Sequence, residues 1–451
     1  MRRLLLPALL LALPAAAGAQ GGGRRSCEIV FVNTPATRQL TIQLPSQKYN
    51  TFLGGGVHIT CGQITLKSDS AEIYGDEGRV YLVTNVQYDE PRMHVTSDYL
   101  TYFQVDERVV AAGNVNARMA NGSTMRGPQA EYRRAVPRVR AVPEMSAFAR
   151  PTLNLVEKSA PGRKQPPTEV TANTLFMRGD SLVYAGGQVV ITRPDLTANS
   201  DSAFLNSARE TMQLIGHPAL DGRKDTEDPY RLTGTLIHAW SRNRQVTRVL
   251  SMGNAEANSK DMRLTSDTID LRVQDELLER AVAWGKGRAH AISPTQDVTA
   301  DSIDVVMPRQ RVRRMTALRN ARAEGTPDSA RVFTRERDWL QGDTIVAHFD
   351  TLPARGPGTP ADTAGSPTIR QLVATGGAKS FYHLAPRDSA VKQPAINYVT
   401  GKAITVSFDN GKVQQVTVAG ESHGVYLEPQ QPSDSAAARP RRPGAPSDTR
   451  P

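Results

Sequence analysis

The sequence predicts an all-β protein built as an elongated repeat array of about ten two-strand units. Two observations carry this. The first is a strand signature that recurs ten times, beginning at Asp69, Asp98, Pro128, Asn173, Asp201, Thr235, Asp267, Asp301, Asp343 and Lys402. Two and four residues after each start the side chain is apolar, as in Ala71/Ile73, Ala203/Leu205 and Ile404/Val406, while polar residues dominate between them. Period-two alternation marks a strand with one wet and one buried face. Recurrence at roughly 30 residues marks a repeat array. The second observation is an answering strand in each unit, usually ending near a glycine, as in residues 108–113, 249–253 and 372–376. A glycine inside a strand permits a bulge or bend, so it is read as the corner where the chain passes from one sheet to the other.

Taken from the N-terminus, residues 1–19 read as a signal peptide. Arg2 and Arg3 precede an apolar run, and Ala17-Gly18-Ala19 fits a cleavage site before Gln20. The run is broken by Pro7 and Pro14 and is shorter than the roughly 20 residues that span a bilayer. The mature chain is expected in the periplasm, cleaved after Ala19, soluble or attached peripherally at the outer membrane. Residues 20–66 form a lead-in in which 28–32 and 40–44 are edge-strand candidates. Gly54-Gly55-Gly56 reads as a turn before a strand over 57–66, because no Lys-Ser/Thr follows to make a phosphate loop. Residues 67–158 hold the first sub-array, 159–168 a Pro/Lys-rich linker, and 169–428 the second sub-array. Within the latter, 353–367 is a Pro/Gly/Ala insertion read as a mobile loop. Residues 429–451 read as a disordered tail.

Removing Arg2 and Arg3 with the leader lowers the net charge from +10 to +8. That favours anionic partners, among which export makes nucleic acid the poorer choice. Two cysteines, Cys27 and Cys61, precede the repeats. In an oxidising compartment they are candidates for a disulfide worth roughly 3–4 kcal/mol, the alternative being two free thiols.

The inward phase of the repeats supplies the candidate site. It consists of Ile73, Leu82, Leu100, Tyr102, Val109, Leu175, Met177, Leu205, Leu214, Ile237, Ile269, Leu271, Ile303, Val305, Ile345, Leu372, Ile404 and Val406. Among these sit many small residues, including Ala111, Ala203, Ser251 and Ala374. Small inward residues leave room for acyl chains, each buried methylene being worth about 0.8 kcal/mol. They equally suit a narrow, dry β-solenoid, and alternation buries the same face in both.

The paired signatures resemble those of the OstA family, the lipopolysaccharide-transport proteins A and C and the periplasmic domain of protein D. The matching stretches are Thr96-Ser-Asp-Tyr-Leu100 with Ala112-Gly-Asn-Val115, and Thr299-Ala-Asp-Ser-Ile303 with Arg319-Asn-Ala321. The likeness runs over residues 57–427. It implies an open β-jellyroll, or β-taco, holding lipid A acyl chains between its sheets and carrying lipopolysaccharide toward the outer membrane. It also implies partners, namely other bridge proteins and an outer-membrane translocon, joined by edge-strand pairing, with end-to-end homo-oligomers. The chain departs from the family in its number of repeats and in lacking a large barrel.

Two other readings stand beside it, a structural or adhesive β-solenoid without lipid cargo and a glycan-active β-helical enzyme. Catalysis is disfavoured. The repeat-start aspartates form a row suited to Asx turns, no G-x-S-x-G is present, and the eight histidines lack metal-ligand spacing. Neither a metal nor a cofactor is expected.

Overall fold

The computed structural model describes residues 29–429 except 33–34, 157–166, 223–228, 260–261, 295, 328–331, 333, 351–367, 386–392 and 410–411. The leader, most of the linker, the insertion and nearly all of the tail lie outside the described residues. Contacts divide the chain into two units, Met1–Val110 and Ala111–Pro451.

The first unit contains β1 (Val30–Phe31), β2 (Arg38–Gln43), β3 (Tyr49–Cys61), β4 (Ile64–Tyr74), β5 (Arg79–Glu90) and β6 (Met93–Phe103). Strands β3 to β6 form an antiparallel meander. β1 and β2 pair with the C-terminal and N-terminal halves of β3. Burial follows the alternation: in β5 Val80, Leu82, Val86 and Tyr88 are buried, whereas Gln87 between them is exposed. Gly54-Gly55-Gly56 is not a turn. It lies inside β3, where the register to β4 shifts between Gly54 and Val57, and the expected 57–66 strand is instead divided by a tight turn at Gly62.

That shift is one example of a device used throughout. At several corners two successive residues take positive φ: Gly55 and Gly56 (83° and 89°), Thr84 and Asn85 (63° and 52°), Gly113 and Asn114 (74° and 49°), Gly253 and Asn254 (77° and 50°). Glycine and asparagine tolerate this region best, which gives the repeated Gly-Asn its physical reason. The first signature meets it in space. A Cβ on Gly216 (φ +75°) would lie 2.5 Å from Asp201 Oδ2, and Gly187, Gly285 and Gly376 face Asn173, Asp267 and Asp343 in the same way. Asn85 Nδ2 donates to Asp69 Oδ2 at 2.9 Å, and the Gly287 amide donates to Asp267 Oδ2 at 2.8 Å. The inward serine before the aspartate donates to the carbonyl two residues on, from Ser68 (2.7 Å), Ser97 (2.8 Å) and Ser200 (2.9 Å). The two sequence signatures are therefore the two sides of one corner.

β7 (Arg108–Met119) leads into the second unit. There follow β8 (Thr124–Arg133), β9 (Glu144–Phe148), β10 (Thr152–Leu155), β11 (Thr168–Thr171), β12 (Thr174–Arg178), β13 (Leu182–Thr192), β14 (Leu196–Asn206), β15 (Thr211–Ile215), β16 (Ala219–Gly222), β17 (Tyr230–Thr233), β18 (Leu236–Arg242) and β19 (Gln245–Asn258). Beyond them lie β20 (Arg263–Gln274), β21 (Leu277–Ile292), β22 (Gln296–Val306), β23 (Arg314–Gly325), β24 (Asp338–Phe349), β25 (Ile369–Leu384), β26 (Ala395–Asp409), β27 (Lys412–Ala419) and β28 (His423–Leu427). From β19 to β26 each strand pairs antiparallel with the next. β26 then takes both β27 and β28.

The expected open β-jellyroll is not what forms. In the second unit β8 pairs with β9, β9 with β12, β12 with β13, β13 with β11, β11 with β10, and β10 again with β8. The circuit closes as a six-strand barrel. A second closed circuit runs through β14, β15, β18, β19, β17 and β16. The cause is local. Where the left-handed pair interrupts the ladder, as at Ala149 and Arg150 or Gly216 and His217, a strand divides in two. Both pieces stay paired to the unbroken strand beside them.

Candidate functional site

The expected lipid groove is overturned by the same closure. The interior is a closed β core, and no open groove is evident among the described residues. Of the inward residues named above, Ile73 is half-buried and the others are buried. Within each unit they lie in the packed interior rather than along the wall of a trough.

The structure shows what holds the interior shut. In the second unit Arg193, in the β13–β14 turn, donates twice to Asp195 (3.0 and 3.1 Å) and also to the Arg244 carbonyl oxygen in the β18–β19 turn. The Arg244 amide donates to Glu210 Oε2 at 3.1 Å. This polar latch joins turns that lie at opposite ends of their strands. With Leu205, Met212 and Thr168 it surrounds a cavity of about 30 Å³, one water's share of liquid volume and far short of a fatty tail. In the first unit Cys61 Sγ lies 3.8 Å from Tyr102 Oη, again from opposite strand ends. Cys61 is disulfide-bonded; Cys27, the other cysteine of the chain, lies outside the described residues. A larger cleft, about 470 Å³, is lined by Gly113, Asn114, Val115, Asn116, Arg126, Gly127 and Pro128 at a corner, and none of the eighteen candidate groove residues lines it.

A second polar cluster occupies the start of β24 and the end of β25. Asp338 Oδ1 accepts from both the His383 amide and His383 Nδ1, each at 2.8 Å, and Glu336 lies 3.7 Å from His383 Nε2. Burial holds the Asp338 carboxyl above its usual range, opposed by the His383 hydrogen bonds. Burial likewise pushes the Tyr382 phenol up, with Asp338 adding to it. Ser380 is buried next along the strand, but alternation places it on the opposite face from His383. Ser380, His383 and Asp338 therefore do not converge on one reacting atom.

Open strand edges are found among the described residues at β2 and β28. Every residue of β2 is exposed, Leu40 at 59%, and among the described residues β3 is its single partner. Every residue of β28 is exposed, Leu427 at 56%, and β26 is its single partner among the described residues. Each end rung consists of two short strands set on either side of a corner. β1 runs toward the corner of β3 and β2 runs away from it. β27 runs toward the corner of β26 and β28 away from it. The sequence placed the lead-in edge strands at 28–32 and 40–44, close to where β1 and β2 form.

No protein-family model matches the chain, and none of the curated proteins compared with it matches either. The resemblance to the OstA family is corrected by the fold: the chain is all-β and many-stranded, but its closed six-strand barrel is not that family's open taco. No helix among the described residues is long and apolar enough to cross a membrane.

Proposed function

We propose that this protein is a non-catalytic structural component of the periplasm that assembles end to end, the C-terminal rung of one copy adding to the N-terminal rung of the next. The carrying observation is the pair of exposed end rungs described above, which present Leu40, Ile42, Val425 and Leu427 and are paired on one side only among the described residues. An exposed sheet edge with apolar side chains is a template for strand addition. Strand direction supports one docking mode. Setting β27 beside β2 and β28 beside β1 makes both contacts antiparallel, continuing the pattern of every adjacent pair within each unit. The exchanged arrangement, β27 beside β1, makes them parallel.

Export is supported by the basic start, the apolar run and the Ala17-Gly18-Ala19 site. The structural reading is supported by how the repeated residues are used: glycine, asparagine, aspartate and serine at the corners satisfy backbone and neighbouring side chains.

Sedimentation velocity over a hundredfold concentration range tests the assembly. Self-association is expected for the wild type and its loss for Leu40→Lys/Ile42→Lys, with circular dichroism unchanged. A cysteine pair placed on β2 and β27 is expected to crosslink between copies, and a pair placed on β2 of both copies is not. A wild type that stays monomeric throughout would refute the proposal.

A further inference from the structure

A long apolar stripe on the outer face of the second unit has no role in the assembly proposed above. Cross-strand register lines up Ser202, Ile215, Leu236, Met252, Thr268 and Trp284, and then Ser302 and Leu318, across successive strands from β14 to β23. These side chains point away from the core. Ile215 is 46% exposed and Trp284 38%. A parallel row two residues nearer the hairpins adds Leu250 and Val282, in line with Asp270 and Asp304. At its N-terminal end that row becomes an aromatic ladder, Phe176–Tyr184–Phe204, with ring centroids 5.8 and 4.7 Å apart. Five of the eight positions in the first row are apolar, Ile215, Leu236, Met252, Trp284 and Leu318, with Ser202, Thr268 and Ser302 among them; exposed apolar clusters rimmed by polar residues mark interaction sites.

Cations border the stripe on both sides. On the hairpin side Arg248 and Arg272 share the single carboxylate of Asp270, and Arg280 pairs with Asp304. On the corner side stand Lys286, Arg288 and Arg319, all exposed, with Arg319 3.5 Å from Asp301. Six cations therefore face Asp267, Asp270, Asp301 and Asp304. Lys286 and Arg288 rise on an enlarged corner: four residues, 285–288, oppose the single residue Asp301 between paired positions.

The geometry points to a docking site for one acidic amphipathic helix of a protein partner. Seven inter-strand steps give a stripe about 33 Å long, which matches roughly 22 helical residues. The two cationic borders stand five to six residues of strand apart, from Arg280 to Lys286 and, in register two strands on, from Arg314 to Arg319, or about 17–20 Å, which takes a helix together with the carboxylate side chains on its two flanks. The helix lays its apolar face along Ile215, Met252 and Trp284 and sets carboxylates against the arginines on either side.

The test uses the full-length protein and two labelled 22-residue helical peptides with the same leucine face, one flanked by glutamate and one by lysine. Fluorescence anisotropy is expected to show the glutamate peptide binding at least about tenfold more tightly, with an advantage that falls as salt screens the rim charges. Ile215→Thr/Trp284→Thr is expected to weaken it about tenfold or more, and Arg280→Gln to reduce the preference for glutamate, both with unchanged circular dichroism. Leu40→Lys/Ile42→Lys, at the end rung, is expected to leave it unaltered, which separates this site from the assembly. Equal binding of the two peptides, binding of neither, or adsorption to anionic vesicles without peptide discrimination would each overturn the assignment.

Discussion

At the scale of single residues, the corners decide most. Gly216 combines φ +75° with an Asp201 oxygen 2.5 Å from where a Cβ would sit. Gly216→Ala meets both penalties, and a loss of about 2 kcal/mol or more is expected in chemical denaturation. Gly54→Ala is the contrast: nothing lies within 4 Å of its added Cβ and its φ is not positive, so a change within about 0.5 kcal/mol is expected. Similar losses at both sites would mean that the corner contact carries no weight. Asp338 offers a pH-dependent case. Its carboxyl is held above the ordinary value of 3.8, chiefly by burial. A raised carboxyl favours the protonated folded state, so its contribution is complete below the ordinary value and is lost as pH rises through the higher folded one. Asp338→Asn removes that titration while keeping an acceptor for His383. Melting temperatures taken between about pH 3.5 and 7 should show wild type falling relative to the variant as pH rises; parallel curves would contradict the burial argument.

At the scale of elements, the polar latch is the contact that distinguishes a closed core from an open one. Arg193 and Asp195 are nearly buried, with side chains 11% and 12% exposed. Removing one partner leaves the other charge unpaired in the interior, at a cost of about 3 kcal/mol. Arg193→Met and Asp195→Leu are each expected to destabilise the second unit by about that much, and the double variant to recover most of it. Additive losses in the double-mutant cycle would mean that the two do not act as a pair. The latch was not legible in the sequence. Arg193, Asp195 and Arg244 sit in hairpin turns, where charged residues usually mark solvent, and their meeting depends on how far the two halves of each strand fold together. Alternation was legible: Leu82, Ile269 and Val406 are buried as their phase requires. What alternation cannot say is whether the space between two buried faces is open or filled, because a trough and a dry core share one pattern. The small inward residues suggested room, yet Ala111, Ala203, Ser251 and Ala374 are all buried, and no open groove is evident among the described residues. The Gly-Asn motif was visible as a corner, but its left-handed pair and its contact with the next strand's aspartate depend on register.

At the scale of the whole molecule, the end rungs set what kind of assembly can form. The first unit presents β1 and β2, the second β27 and β28, and the two surfaces differ in sequence and in strand length. A contact between unlike surfaces is heterologous, and unless its rotation closes a ring it continues without limit. A dimer made by like surfaces stops at two. The difference can be measured by poisoning the assembly. Leu40→Lys/Ile42→Lys disables the N-terminal rung and leaves β27 and β28 intact, so the variant can still join a growing chain at one end and then blocks further addition there. Titrating it into wild type at constant total concentration is expected to shorten the mean oligomer progressively, in proportion to the variant fraction. A symmetric dimer through β28 alone would keep its size whatever the mixture, because that surface is unchanged in both proteins. A symmetric dimer through β2 would give only dimers and monomers, with no intermediate sizes. Light scattering across the titration separates these outcomes: strand addition from one copy to the next requires a wild-type mass above that of a dimer that falls continuously as the variant is added, whereas a mass that starts at the dimer, or that does not fall, contradicts it.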